Sequence, residues 1–217
     1  MHDFEIAIVN RSEQLTDTEV WRAASSINRQ LQRDFKPIWG GRNTWVEFDP
    51  EPEGRDWTLI IVDEPTVDGA AGWHSIDDRG HVVSEVAVNT GLPWTAIVSH
   101  EVLEMVANEA VNKVAQNYRD GMWYPLEVCD PVQSELYDIE GVWVSDFVLP
   151  EWFAMDLRAP KTAFKTMGLK PFQVAKGGYA IRWDDDNRDR TIYHSEIPGH
   201  VRNLYAPGPD RTTDCAA

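Results

Sequence analysis

The stretch of residues 94–109, WTAIVSHEVLEMVANE, decides the fold that we expect for this chain. Apolar side chains cover most of its helical circumference, which predicts a central, largely buried helix. At about 100° per residue, His100, Glu101, Glu104 and Asn108 fall within one arc of that helix. Burying a histidine and two carboxylates is costly unless they are paired or bind a cation. The spacing therefore predicts a metal site on one face of the helix.

The same side chains also allow an ordinary interpretation. His100 and Glu104 stand four residues apart, so they can form a hydrogen-bonded pair on successive helical turns, and Glu101 can join a salt bridge. This interpretation requires all three groups to be paired or solvated, which a mostly apolar helix disfavours. We therefore favour metal binding.

The segment SHEVLE at residues 99–104 resembles the metal-binding helix of the zincin metallopeptidases, whose motif is H-E-x-x-H. Glu104 stands where that motif has its second histidine. The resemblance implies that His100 and Glu104 are metal ligands and that Glu101 is the general base for the attacking water. It implies Zn²⁺ as the cofactor, while the oxygen-rich ligand set also suits harder divalent cations such as Mn²⁺ or Ca²⁺.

A third ligand is expected downstream, in the segment EVCD at residues 127–130. In the gluzincin type of zincin this ligand is a Glu, and the metzincin extension of the motif is absent here. We assign Glu127 as the third ligand and Asp130 as the residue that orients the His100 ring, and the reverse assignment stays open. Either carboxylate could instead cap backbone amides. Cys129 between them is expected to be a small buried residue.

Three further residues have functional interpretations beside ordinary ones. Tyr124 is a candidate for stabilising the oxyanion of a tetrahedral intermediate, with core packing as its ordinary alternative. His74 and His81 flank an expected edge strand, where either could stabilise an oxyanion or complete the coordination shell. A histidine on a turn or at the surface more often does neither.

The N-terminal part of the chain predicts a strand followed by a long helix. Residues 4–10, FEIAIVN, are β-branched and apolar. Thr16 and Glu19 form a capping-box pattern, and apolar residues then recur at helical spacing. Pro37 and the pair Gly40–Gly41 are expected to end this helix.

The remaining elements predict an α+β fold. Residues 44–48 and 57–62 read as two strands, residues 71–89 as an edge strand or hairpin, and residues 123–128 and 142–148 as extended. We expect a mixed, mostly antiparallel sheet with the metal-binding helix at its centre. This order of elements also resembles the N-terminal half of a zincin catalytic domain. The resemblance implies that the edge strand holds an extended peptide by strand addition.

The chain predicts one main domain and an appendage. Residues 1–158 are expected to form the zincin-like, metal-binding domain. Residues 159–217 are richer in Lys, Gly, Pro and Asp, and we expect a C-terminal extension that packs on that domain. The extreme end, GPDRTTDCAA, is expected to be disordered.

Composition and charge argue against several classes of function. The 217 residues include 36 acidic and 20 basic ones, for a net charge of −16 with neutral histidines. This charge disfavours nucleic acid and anionic membrane surfaces as partners. No apolar stretch approaches the roughly 20 residues of a transmembrane helix. The first residues lack a signal-peptide pattern, and the two cysteines make no disulfide framework, so a reducing, cytoplasmic location is expected.

Together these patterns predict a metal-dependent peptide-bond hydrolase that acts on a peptide or protein substrate. The segments SHEVLEM, EVCDP and DFVLPEWF are also similar to small prokaryotic and phage-borne proteins with a zincin-like pattern, so a virion-associated location is an alternative. Two alternative functions remain. One is a non-catalytic, metal-stapled binding or phage-structural protein, and the other is a metal-free scaffold with a degenerate site.

Overall fold

The chain is a mixed α+β protein with few helices, which confirms the predicted class at this level. A computed structural model describes residues 4–52, 55, 57–154, 156–184, 191–194 and 202–203. The helices are α1 Asp17–Gln30, α2 Lys36–Trp39 and α3 Trp94–Ala107, with a π-helical turn at Leu31–Phe35 and 3₁₀ turns at Asp130–Val132 and Pro150–Trp152. The strands are β1 Phe4–Asn10, β2 Thr44–Phe48, β3 Trp57–Val62, β4 Gly72–Ile76, β5 Val82–Ala87, β6 Val114–Asn117, β7 Met122–Pro125, β8 Leu136–Ile139, β9 Val142–Ser145, β10 Tyr179–Arg182, β11 Thr191–His194 and β12 Arg202–Asn203.

Contacts between Cα atoms divide the chain into two units. The first unit holds Met1–Ala110 and Asp138–Val144, and the second holds Val111–Tyr137 and Ser145–Ala217. The division into residues 1–158 and 159–217 stays a prediction. The extreme C-terminus, which is expected to be disordered, lies outside the described residues.

The first unit contains a five-stranded sheet with the order β2-β1-β3-β5-β4. Its strands start and end close to the predicted positions, and the expected edge hairpin is β4 with β5. The sheet is mixed, as expected, but the prediction that it is mostly antiparallel is wrong. β1 runs parallel to both β2 and β3, and β3 runs parallel to β5, so only the β4–β5 pair is antiparallel.

Connection length explains this difference. The chain passes through α1 and α2 between β1 and β2, and a crossover of this length allows parallel pairing. By contrast, a short turn joins β4 to β5, and strands joined in this way pair as an antiparallel hairpin. Apolar alternation within a strand carries no information about the direction of its neighbour.

Helical geometry ends at the predicted Gly40–Gly41 pair but not at Pro37. Helical geometry continues beyond α1 through the π-helical turn and α2 and stops only at Gly40, whose φ of 68° lies in the left-handed region. Pro37 therefore does not end the helix. It lies in the first turn of α2, where a missing backbone N–H is tolerated.

The predicted capping box at the start of α1 is confirmed. The Thr16 side chain accepts a hydrogen bond from the Glu19 N–H, and the Glu19 carboxylate accepts one from the Thr16 N–H at 2.8 Å. The hydrogen bonds from Thr16 lower the pKa of Glu19 below its usual value.

We expect Thr16→Ala to destabilise the protein by about 1 kcal/mol, because the Glu19 N–H loses the Thr16 hydroxyl as a hydrogen-bond acceptor. Urea-induced unfolding followed by circular dichroism measures this change. Ser25→Ala is the matched control in the same helix, since the exposed Ser25 hydroxyl only donates to the Trp21 carbonyl. Equal stability of the Thr16 and Ser25 variants would contradict the prediction.

A buried hydrogen bond joins helices α1 and α3, and both helices contact the sheet. The Ser99 hydroxyl of α3 donates a 2.7 Å hydrogen bond to the side-chain carbonyl of Gln30 at the end of α1, and both residues are buried. Strand residues two apart point to the same face of a sheet. Gly72 and His74 of β4 both approach α3, so the helix lies over this face.

The second unit is built from small sheets and aromatic clusters. β6 pairs with β7, and β10, β11 and β12 form an antiparallel sheet. Tyr124 and Phe172 pack on Trp152, and the rings of Phe147 and Phe164 stack. The two segments predicted to be extended end earlier in the structure: β7 of this unit ends at Pro125, and β9, which lies mostly in the first unit, ends at Ser145. Among the described residues, no helix is long and apolar enough to cross a membrane.

Candidate metal centre

Helix α3 carries the three candidate residues of the first unit. Its extent confirms the helix prediction to within two residues at its C-terminal end. Val98, Val102 and Met105 on the predicted core face are fully buried. The opposite arc is buried as well, since Glu101 is 5% exposed and Glu104 is 3% exposed. Two carboxylates therefore lie within the protein and not on a solvated helix face.

The structure brings His100, Glu101 and Glu104 together. Each offers one ligand atom, and these atoms all lie within 4.8 Å of one another. The His100 Nε2 atom lies 3.2 Å from Glu104 Oε2, as expected for residues on successive helical turns. The roles of His100 and Glu104 as ligands and of Glu101 as a base stay predictions.

His74 joins this group from strand β4. Its ring is 1% exposed, and its Nδ1 atom lies 2.9 Å from Glu101 Oε2 and 4.0 Å from Glu104 Oε2. Glu104 Oε2 thus has one nitrogen of His74 and one of His100 nearby. The other histidine of the hairpin, His81, is largely exposed and lies 3.6 Å from Asp77. It is not part of the group.

The sequence alone does not place His74 beside α3, because the register of β4 on β5 decides the position of its side chain. His74 pairs with Ser84 of β5, and this pairing sets which face of the sheet carries the imidazole. Because Gly72, His74 and Ile76 are two residues apart from one another, the sequence does indicate that they point to the same face of the sheet. The sequence did not indicate that this face lies under the SHEVLE segment of α3.

The donor set suits a divalent cation. Imidazole nitrogens and carboxylate oxygens are the ligands of zinc and of other transition metals. Two buried carboxylates also need compensation, either by hydrogen bonds and protonated imidazoles or by a cation. His100, Glu101 and Glu104 of α3 are one group of the first unit that could hold such an ion, and His74 of β4 is a further candidate ligand.

Gly72 lets α3 approach the edge strand closely. A Cβ atom at this position would lie 2.7 Å from Glu101 Oε1 and 2.9 Å from the Ile97 Cγ2 atom. Neither distance is compatible with normal van der Waals packing. The absence of a side chain at Gly72 therefore sets the spacing between β4 and Glu101.

We expect Gly72→Ala to destabilise the protein by about 1–3 kcal/mol, because the added methyl group overpacks the contact between β4 and α3. Thermal unfolding of the metal-free protein measures this effect. Gly80→Ala is not a neutral control, because Gly80 has a φ of 82°, so we use Ser75→Ala on the same strand. An unchanged Tm for the Gly72 variant would contradict the close packing.

Glu127 and Asp130 belong to the second unit. Both are buried, and both line one small cavity together with Tyr124 and Trp152. The structure thus places the two candidates for the third ligand beside a common space within their unit. Cys129 is fully buried, as expected. The choice between Glu127 and Asp130 as third ligand stays a prediction.

Tyr124 is held by its own unit. Its hydroxyl donates a 3.1 Å hydrogen bond to Asp120 Oδ2, and its ring packs against Phe172 and Trp152. Burial raises the pKa of Tyr124 above its usual value. These contacts are those of a core tyrosine, and its role as an oxyanion stabiliser stays a prediction.

Comparisons with models of known protein families, with curated protein sequences and with solved structures found no match to this chain. The resemblance to zincins therefore rests on the motif residues of α3 and on the order of the elements.

Proposed function

We propose that this chain is a metal-dependent peptide-bond hydrolase with a zincin-like site. The observation that carries the proposal is the group formed by His100, Glu101 and Glu104, whose ligand atoms lie within 4.8 Å of one another on a buried helix. A metal ion offsets the cost of burying two neighbouring carboxylates. Zn²⁺ is the proposed ion, and Mn²⁺ is the first alternative.

The order of the elements supports the proposal. β1, α1, β2, β3, the β4–β5 hairpin and α3 follow one another as the zincin resemblance implies for the first half of a catalytic domain. β4 lies at the edge of its sheet. An extended peptide can add to such an edge by main-chain hydrogen bonds, and we propose that the substrate binds in this way.

The proposed reaction is hydrolysis of the amide bond. A bound metal would polarise the carbonyl and acidify the attacking water. Glu101 accepts a proton from the water while the water oxygen forms a bond to the carbonyl carbon. The C–N bond then breaks, and Glu101 returns the proton to the leaving amine. His100 and Glu104 would hold the metal beside Glu101.

One observation favours a second candidate function. Glu101 and Glu104 are almost completely buried, and Glu101 is hydrogen-bonded to His74, which is also how a purely structural site would be arranged. In that case the metal stabilises the fold, and the protein binds a partner without hydrolysing it.

Metal analysis followed by a cleavage assay separates these candidates. We expect elemental analysis of the purified chain, after incubation with Zn²⁺ and gel filtration, to find about one ion per chain. A peptide library incubated with this protein should be cleaved, and cleavage should stop when a chelator removes the metal. A chain that binds no ion overturns both metal-dependent functions, whereas a metal-loaded chain without cleavage favours the structural site.

Metal affinity also decides the third ligand. We expect Glu127→Ala to lower the affinity for Zn²⁺ by more than about tenfold, because a carboxylate ligand is lost. Glu135→Ala is the matched control, since Glu135 is an exposed carboxylate of the same segment. Normal affinity of the Glu127 variant together with weak binding by Asp130→Ala would transfer the assignment to Asp130.

A further inference from the structure

Two residues of strand β4 lie close to the carboxylate of Glu101. His74 Nδ1 lies 2.9 Å from Oε2, and a Cβ atom added at Gly72 would lie 2.7 Å from Oε1. Both oxygens of the carboxylate are therefore near the edge strand. Neither residue belongs to the H-E-x-x-E pattern of α3.

The chemistry of the pair sets the direction of the hydrogen bond. A general base must be ionised, and an ionised carboxylate can only accept hydrogen bonds, so in that state of Glu101 the proton is on His74 Nδ1. Both partners are buried, and in a low-dielectric interior a charge-assisted hydrogen bond is strong and short. The imidazole is therefore able to hold the Glu101 carboxylate in one orientation.

We propose that His74 is a positioning residue for Glu101. His74 fixes Oε2 by its Nδ1–H group, and Gly72 leaves the space in which Oε1 lies, so the edge strand sets the direction of the carboxylate relative to His100 and Glu104. The expected effect of His74 on kcat rests on the proposed hydrolase function. The contact between His74 and Glu101 does not depend on that function.

A different role for His74 uses the same hydrogen bond. Metal-ligating histidines commonly donate their second ring N–H to a carboxylate, so His74 could bind the metal through Nε2 while Glu101 orients the ring. Glu101 would then not be the base. The two roles depend on different nitrogens of one ring, and this difference makes them separable by substitution.

Asparagine and glutamine at position 74 distinguish the two nitrogens. The amide nitrogen of Asn can occupy the place of Nδ1, and the amide group of the longer Gln can reach the place of Nε2. The variants are His74→Asn, His74→Gln and His74→Ala, with His81→Asn as a control on the exposed histidine of the same hairpin. Thermal unfolding establishes that each variant is folded.

Metal affinity and kinetics are then measured with Co²⁺ as the probe. We expect all three His74 variants to bind Co²⁺ within about tenfold of the wild type, a change of no more than 1.4 kcal/mol. We expect kcat to fall by about 10²-fold in His74→Gln and His74→Ala with little change in KM, and His74→Asn to recover most of the rate. Affinity lost in His74→Ala and restored in His74→Gln overturns the proposal, because His74 would then be a ligand.

A spectroscopic measurement tests the contact without activity. In metal-free protein we expect a slowly exchanging, low-field proton resonance from His74 Nδ1–H, and a shift to higher field in Glu101→Gln because an amide is a weaker acceptor than a carboxylate. A resonance that is absent, or unchanged in Glu101→Gln, overturns the proposal. If the wild type cleaves no peptide, the proposed function fails, and this spectrum still decides whether His74 holds Glu101.

Discussion

Replacement of Glu101 by glutamine is expected to lower kcat for peptide cleavage by about 10²–10⁴-fold, which is the usual contribution of a general base. The amide has nearly the shape of the carboxylate but cannot accept the proton of the attacking water. The bound metal should remain, because Glu101 is not one of its proposed ligands. KM should change little, since the proton is transferred only in the transition state.

The measurement is steady-state cleavage of a library-derived peptide, together with elemental analysis of the same sample. Glu109→Gln is the matched control, because Glu109 follows the same helix and pairs with Arg42 at 3.2 Å near the surface. Loss of metal from the Glu101 variant would make Glu101 a ligand. Unchanged cleavage would remove it from the mechanism.

Replacement of His100 by alanine is expected to weaken Zn²⁺ binding by more than about 100-fold, because even residues that only orient a ligand contribute roughly 10–100-fold to metal affinity. His100 is the only imidazole of the H-E-x-x-E pattern. Its loss leaves a site formed by carboxylates, which bind zinc less well than a site containing imidazole.

Competition with a chromophoric chelator measures this affinity, and thermal unfolding gives a second readout. A ligand that binds only the folded state raises the Tm, so the wild type should gain stability on addition of Zn²⁺ and the His100 variant should gain far less. His81→Ala serves as the control, because this histidine is exposed and pairs with Asp77. Equal affinities of the wild type and the His100 variant would contradict the metal site on α3.

Local patterns were sufficient to predict most elements of the first unit. The apolar run of residues 94–109 predicted α3, and the pair Thr16 and Glu19 predicted the start of α1. Both signals act through hydrogen bonds and side-chain contacts between residues at most a few positions apart. Such features depend little on the rest of the chain.

Strand direction depended on more than local pattern. The sheet of the first unit is mostly parallel, although we expected it to be mostly antiparallel. A helical crossover between β1 and β2 permits the parallel arrangement. The error at Pro37 has a different, local origin, because a proline in the first turn of a new helical segment is compatible with continuation of the helix.

By itself, the sequence determined that His100, Glu101 and Glu104 share one part of the molecule. Helical geometry brings residues one and four positions apart together wherever the helix lies. Only the tertiary structure decided that His74 meets Glu101, because these residues are 27 positions apart and their contact requires the register of β4 on β5. A shift of one residue in that register would turn His74 to the opposite face of the sheet, away from α3.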